Sequence, residues 1–225
     1  MNRFRDTDVL DAPASRLHNG IPNRADSGGA RLAAPSVLGL FGLFAATVVY
    51  GSTLAGWWGG TASPILVFPF VTMLGGLAQL IACVWAHRDR DELAAAVHGV
   101  WSAFWLAFGV YELLVTVGKL PQPVTGRANA VDFGMWFVPL AAITAALALA
   151  AVGRSIVLAG ILTVLAGAAV LAAVGFAGNQ PWSVRTSGWL FVLAAALAWY
   201  LASALLIENE RGRAVLPTGR RRGRP

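Results

Sequence analysis

The chain has 225 residues, of which 57% are hydrophobic and only 12% charged, with a formal net charge of +6. A typical soluble domain carries roughly 25% charged residues, so an ordinary water-soluble fold is excluded. The single cysteine, Cys83, excludes an intramolecular disulfide and a cysteine-based metal cluster.

Residues 1–33 carry arginines among Pro, Gly and Ser without an apolar stretch. They read as a disordered basic cytoplasmic tail and not as a signal peptide. Six apolar runs follow, at 36–56, 64–86, 93–117, 131–152, 155–178 and 187–207. Each reaches the ~20 residues that a ~30 Å hydrocarbon core requires of one helix. Barrel strands alternate apolar and polar residues over about 10 positions, whereas these runs are continuously apolar. The predicted fold class is therefore all-α, a polytopic membrane protein with six transmembrane helices spanning 34–210. An Arg-rich C-terminal tail covers 211–225. With an even number of spans, 14 of the 17 Lys and Arg fall on the side of the termini; only Lys119, Arg127 and Arg185 fall on the other. Positive residues stay in the cytoplasm during insertion, so both termini are expected inside the cell membrane. The Arg220-Arg221-Arg222 run fits an anchor to anionic lipid better than a nucleic-acid arm.

Within each span, residues that depart from Ala, Leu and Val carry the information, because a polar group in hydrocarbon needs a partner or a wet cavity. Span one places Gly39, Gly42, Leu43, Ala46, Tyr50 and Thr53 on one face, and Trp57 with Trp58 reads as an interfacial anchor. Span two repeats the pattern with Thr72, Gly75, Gly76, Gln79 and Cys83. Span three is the richest. His98, Trp101, Ser102, Trp105, Gly109 and Glu112 fall within about 100° of arc along nearly the whole helix. Spans four to six are rich in alanine, with Thr144, Thr163, Ser203, Gly160 and Gly167. Pro69 and Pro139 are expected kinks. Small residues also serve close helix contacts, Gln79 serves equally as an interhelical hydrogen bond, His98 as a snorkelling side chain, and Glu112 as a partner for Lys119. Together the span-three groups mark a translocation path. No HExxH, Gly-x-Ser-x-Gly or phosphate-cradling loop is present, and no cofactor is expected.

Four segments carry a resemblance. The run Ala34-Pro35-Ser36-Val37-Leu38-Gly39-Leu40-Phe41-Gly42 is similar to the Asn-Pro-x-Pro-Leu-Gly-Leu opening of the acetate uptake transporter family, the YaaH-type succinate–acetate permease group. Gly75-Gly76-Leu77-Ala78-Gln79 resembles its Gly-Gly-x-x-Gln segment, and Trp101-Ser102-Ala103-Phe104-Trp105-Leu106 its Tyr-Gly-Ser-Phe-Trp segment. Gly212-Arg213-Ala214-Val215-Leu216-Pro217-Thr218-Gly219 resembles its Gly-Arg-x-x-Leu-Pro-x-Gly ending. The resemblance implies a six-helix protomer assembled as a hexamer, with a path in each protomer for acetate, related monocarboxylates or succinate. It places Leu43 at the family's gate Phe, Trp101 at its Tyr and Gln79 at its Gln. Ala34 replaces the opening Asn, Val37 the second Pro and Ala86 an acidic residue, while His98 and Glu112 are additional.

The expected function is thus a transporter or channel for a small monocarboxylate such as acetate, either coupled to protons or channel-like. Gln79, Ser102 and Thr47 are the candidate substrate path, with Gln79 and Ser102 as donors to the carboxylate; Leu43 and Trp101 are the candidate hydrophobic gate. His98 and Glu112 are candidate proton carriers. Two alternatives stay open, a non-transporting assembly or sensing protein on the same fold and a path for a different small solute.

Overall fold

The computed structural model describes residues 35–59, 63–122 and 126–219. The basic segment 1–33 and the Arg220-Arg221-Arg222 run lie outside the described residues. Six helices are long and apolar enough to cross a membrane. They are α1 (Pro35–Leu54), α2, α3 (Glu92–Thr116), α4 (Arg127–Ala151), α5 (Ile156–Ala177) and α6 (Pro181–Arg211). Helix α2 is continuous but has three parts, α-helical over Ser63–Phe70, π-helical over Val71–Ala78 and α-helical again over Gln79–Arg88.

Each helix packs on its neighbours in chain order, and α6 packs back onto α1 to close a ring. One end of the ring holds Pro35, Arg211 and the α2–α3 and α4–α5 turns; it is the termini end. The far end holds the other three connections.

Glycine explains how the backbones approach so closely. A Cβ at Gly51 would sit 2.7 Å from Phe191 Cβ, and one at Gly188 2.7 Å from the Gly51 carbonyl, so α1 and α6 touch almost backbone to backbone. The same crowding joins α4 to α5 at Gly134, where a Cβ would lie 2.9 Å from the Ala177 nitrogen, and α5 to α6 at Gly175, 2.6 Å from Val184 Cγ2. Without a hydrophobic force between helices in lipid, such contacts supply the dispersion and packing that hold them together. Gly160 meets nothing within 4 Å and takes no part in this packing. Helices α3 and α4 meet differently, through rings: Tyr111 stacks on Phe133 at 5.5 Å and Phe104 lies 5.6 Å from Phe137.

The π stretch changes which residues of α2 face inward. Pro69 cannot donate a helical hydrogen bond, and two residues later the helix widens to the i→i+5 pattern. Val71, Gly75, Gly76, Gln79, Ala82 and Ala86 are buried, whereas Thr72 and Cys83, expected on the same inward face, are only partly so. The regular 100° step fails across the wider turn.

The ends are set by local chemistry. Asp91 caps α3 by accepting from the Ala94 amide at 3.0 Å, and Ser155 caps α5 by accepting from Leu158 at 3.3 Å. Helix α6 begins at Pro181 in its first turn and stops at the left-handed Gly212, so it outruns the expected 187–207 at both ends. Beyond Gly212 the chain folds back as a strap. Tyr200 Oη donates to the Pro217 carbonyl at 2.9 Å, Ser155 Oγ to the Thr218 carbonyl at 2.7 Å, and the Ile156 amide to the Gly219 carbonyl at 3.3 Å.

Candidate functional site

Two cavities open inside the ring, one at each end. The cavity at the termini end has a volume of about 60 Å³ and is lined by Ser36, Leu40, Val97, His98, Arg154 and Ser155, among others. The far-end cavity measures about 180 Å³ and is lined by Tyr50, Thr53, Phe108, Glu112, Gln122 and Phe176, among others. A water needs roughly 10–15 Å³ on such a measure, so both can be wet. Helix α3 supplies a titratable group to each. His98 and Glu112 are fourteen residues apart, a separation of about 21 Å at ~1.5 Å per residue.

Between the cavities lies a wall of rings and small apolar groups. Tyr50 meets Trp105 edge-on at 5.7 Å, Phe108 at 5.0 Å and Phe191 at 5.6 Å. Trp101 continues the wall, 6.2 Å from Trp105 and 6.5 Å from Phe191. Leu43 and Ala46 are buried in the same core.

The wall is not purely apolar. Thr47 Oγ1, Tyr50 Oη, Gln79 Oε1, Trp101 Nε1, Trp105 Nε1 and Thr144 Oγ1 are all buried without a hydrogen-bond partner in the protein. Buried polar atoms are normally satisfied, and six orphans in one small bundle call for a ligand or water. The sequence reading named Thr47, Gln79 and Trp101 as candidate site groups, put Trp105 on the span-three stripe and Tyr50 on the inward face of span one, and noted Thr144 without a role. The signal was available: each is a hydrogen-bonding group at hydrocarbon depth.

Both candidate donors are engaged within the protein. Gln79 Nε2 donates to the Gly75 carbonyl at 2.9 Å, which commits one of its two amide protons, and its Oε1, an acceptor, has no partner in the protein. Ser102 Oγ donates to the Gly76 carbonyl at 2.8 Å, so its one proton is already committed. Both carbonyls belong to the π stretch. Gln79 also sits beside α1, its Cγ 3.3 Å from where a Cβ at Gly42 would be. The structure thus joins Gln79 and Ser102 on the α1–α2–α3 seam.

His98 is buried, not snorkelling; its ring fills the space a Cβ at Gly39 would take, and its Nδ1 has no partner. Glu112 lines the far cavity and forms no ion pair with Lys119. The termini end instead carries an ion pair between Asp91 and Arg154, which links the α3 cap to the α4–α5 turn. The guanidinium hydrogen bond holds the Asp91 carboxyl below its ordinary value, with the Ala94 amide adding to it. Among the described residues no group of three or more His, Cys, Asp or Glu is placed to hold a metal ion.

The comparisons with known proteins agree with this architecture. The chain is 27% identical over 197 residues to the succinate-acetate/proton symporter SatP of Escherichia coli (strain K12), covering 85% of this chain and 98% of that protein. It is 26% identical over 206 residues to the ammonia transport outward protein 2 of Saccharomyces cerevisiae (strain ATCC 204508 / S288c), covering 90% of this chain and 70% of that one. The solved structure of the bacterial acetate channel SatP matches with a TM-score of 0.76 at 23% identity, over 84% of this chain and 100% of that chain, a likeness of fold. The GPR1/FUN34/yaaH family profile matches residues 21–220. With the whole six-helix ring inside that match, the chain is a multi-pass membrane protein belonging to the GPR1/FUN34/yaaH family.

Proposed function

We propose that this protein carries a small monocarboxylate such as acetate across the cell membrane, together with a proton. The observation that carries this reading is the pair of cavities at opposite ends of one ring, separated by a wall of rings with unpartnered polar atoms. A bare carboxylate in such a wall would lose its water without a compensating charge, at a cost of several kcal/mol. The neutral acid fits better. Its hydroxyl proton has an acceptor in Gln79 Oε1, and its carbonyl has donors in the indole N–H groups of Trp101 and Trp105. Leu43 and Trp101 form the hydrophobic gate, with Thr47 beside the route and Ser102 holding Gly76 in place.

Glu112 and His98 then supply the proton chemistry. At the far cavity the Glu112 carboxyl gives its proton to the carboxylate, forming the neutral acid and leaving Glu112 ionised. At the termini cavity the acid returns the proton to the His98 imidazole and leaves as the anion. Solvent protons on one side and release on the other restore both groups, so one proton crosses with each acid. The reading is transport and not catalysis, with no cofactor and no nucleic acid as partner. The termini face the cytoplasm of the inner membrane, and the protomers assemble as a hexamer.

The test is labelled acetate uptake into proteoliposomes, with and without an inward proton gradient, against empty vesicles. Saturable uptake that rises with the gradient is the expected result. Gradient-independent uptake would make the protein an acetate channel, and no uptake above the empty control would sink the reading.

A neutral-solute path is the second reading, favoured by the free Gln79 acceptor and the relative named for ammonia transport. Competition of ammonia or methylamine with acetate separates the two.

A further inference from the structure

A third cavity adjoins the far-end vestibule and differs from it in charge. It has a volume of about 390 Å³ and shares the walls Leu54 and Phe176 with the Glu112 cavity. Arg127 and Arg185 both line it. Of the three cations on this side of the chain (Lys119, Arg127 and Arg185), two therefore meet in one concavity. Neither forms an ion pair among the described residues, although the exposed Arg154 at the other end does. Two unpaired guanidinium groups in one hollow repel each other, and an anion between them removes that cost.

The backbone adds to the same field. The first turn of α4 opens on the cavity at Gly126 and Arg127, and the first turn of α6 at Gln180 and Pro181. Neither helix start has a side-chain cap, so the positive dipole ends of two helices adjoin one space. Arg185 lies beside the end of α1: its Nη2 is 3.5 Å from where a Cβ at Gly56 would be, and Gly56 keeps a left-handed φ of 78°.

We propose that this cavity is an oxyanion-collecting antechamber in series with the far vestibule, and that its ligand is a small carboxylate held by Arg127 and Arg185. The proposal rests on the transport reading for the carboxylate's onward route, but the site itself does not. It completes an arrangement the inner cavities lack. Glu112 in the vestibule disfavours an approaching anion when ionised, and a cationic stop outside it raises the local carboxylate concentration at the point where the proton is given. A lipid phosphate offers the same oxyanion chemistry, and the experiment separates the two sources.

Two measurements test it, using the full chain and the variant Arg127→Gln/Arg185→Gln. In vesicles sorted by which face exposes a terminal tag, acetate uptake from the antechamber face is measured at low and high salt. The expected result is a KM raised ~3- to 10-fold with a maximal rate changed less than twofold, and with the salt dependence of the wild type lost. An unchanged KM with unchanged salt dependence overturns the carboxylate role. The second measurement needs no transport: quenching of tryptophan fluorescence in maltoside detergent by iodide, with neutral acrylamide as control. Trp182 and Trp189 share a surface hollow with Arg185, so iodide held by the arginines quenches them. Quenching by iodide that falls in the variant while acrylamide quenching stays constant supports the anion site even if the wild type carries no acetate. Equal iodide quenching overturns it. A fall in quenching in detergent with no KM change in phospholipid vesicles assigns the site to lipid phosphate and overturns the carboxylate proposal.

Discussion

The two ends of the ring are built on opposite plans. At the termini end the cavity is small, His98 is sealed against Gly39, the arginine is consumed by Asp91, and a strap of eight residues, 212–219, is tied over the α4–α5 turn. At the far end the cavity is three times the volume, Glu112 is partly exposed, and the arginines beside it have no acidic partner. A helix bundle that merely filled a membrane would have no reason to differ in this way. The difference teaches that closure and recruitment have been assigned to separate faces of one bundle, with the aromatic wall between them.

The largest effect is expected from removing the wall. Trp101→Ala deletes a fully buried indole, and comparable core truncations cost about 3–5 kcal/mol. The two vestibules then communicate, and proton leak through vesicles holding the variant should rise at least tenfold in a pH-dye assay. Trp101→Phe, which keeps a ring but removes the N–H, should seal the leak while lowering acetate flux. A variant as tight as the wild type would show that Trp101 is not part of the barrier.

The next effect tests whether the far end delivers the proton. Glu112→Gln keeps the shape of the side chain and removes its titration. Gradient-driven uptake should fall at least tenfold, while acetate exchange without a gradient falls less. Equal loss in both assays would reassign Glu112 to packing.

The ion pair at the termini end predicts a smaller, pH-dependent effect. Its lowered carboxyl means that Asp91 contributes stability above the ordinary carboxylate pKa of about 4 and loses it as pH falls through the lowered folded value. Melting temperature in detergent should therefore drop on acidification more for the wild type than for Arg154→Gln. An exposed pair of this kind is worth at most about 1 kcal/mol. Parallel acid profiles for the two proteins would discard the pair as a contributor.

The smallest effect comes from the strap. Tyr200→Phe leaves the Pro217 carbonyl without its donor, a loss of about 0.5–1.5 kcal/mol. It should appear as faster hydrogen exchange over 212–219 with the helices unchanged. Unaltered exchange there would mean that the Ser155 and Ile156 bonds hold the strap by themselves.

Much of this comparison was legible before any coordinates. The α3 stripe from His98 to Glu112 follows from a 3.6-residue period, and it does span the membrane from one cavity to the other. The order of the helices and the inward face of α1 from Gly39 to Tyr50 were equally plain. What escaped the sequence has two physical causes. The π stretch breaks the period that reading depends on, so Thr72 and Cys83, expected on the inward face of α2, are only partly buried. The arginine antechamber unites Arg127 and Arg185, which are 58 positions apart and belong to helices that are not neighbours in sequence. Charge counting registered both as topology markers, and only the fold places them in one hollow.

The contact between α1 and α6 sets the order in which the molecule can be made. Neighbours in sequence, such as the α2–α3 and α4–α5 hairpins, can form as soon as both members have entered the bilayer, because short loops close at little entropic cost. The face of α1 that carries Gly51 cannot be covered until α6 arrives, which is made after the other five described helices. Until then the seam between α1 and α6 is open to lipid, and the two vestibules are not yet enclosed. A chain stalled or truncated before residue 188 would hold five inserted helices without a finished barrier, a form that a membrane protease could recognise by its open edge.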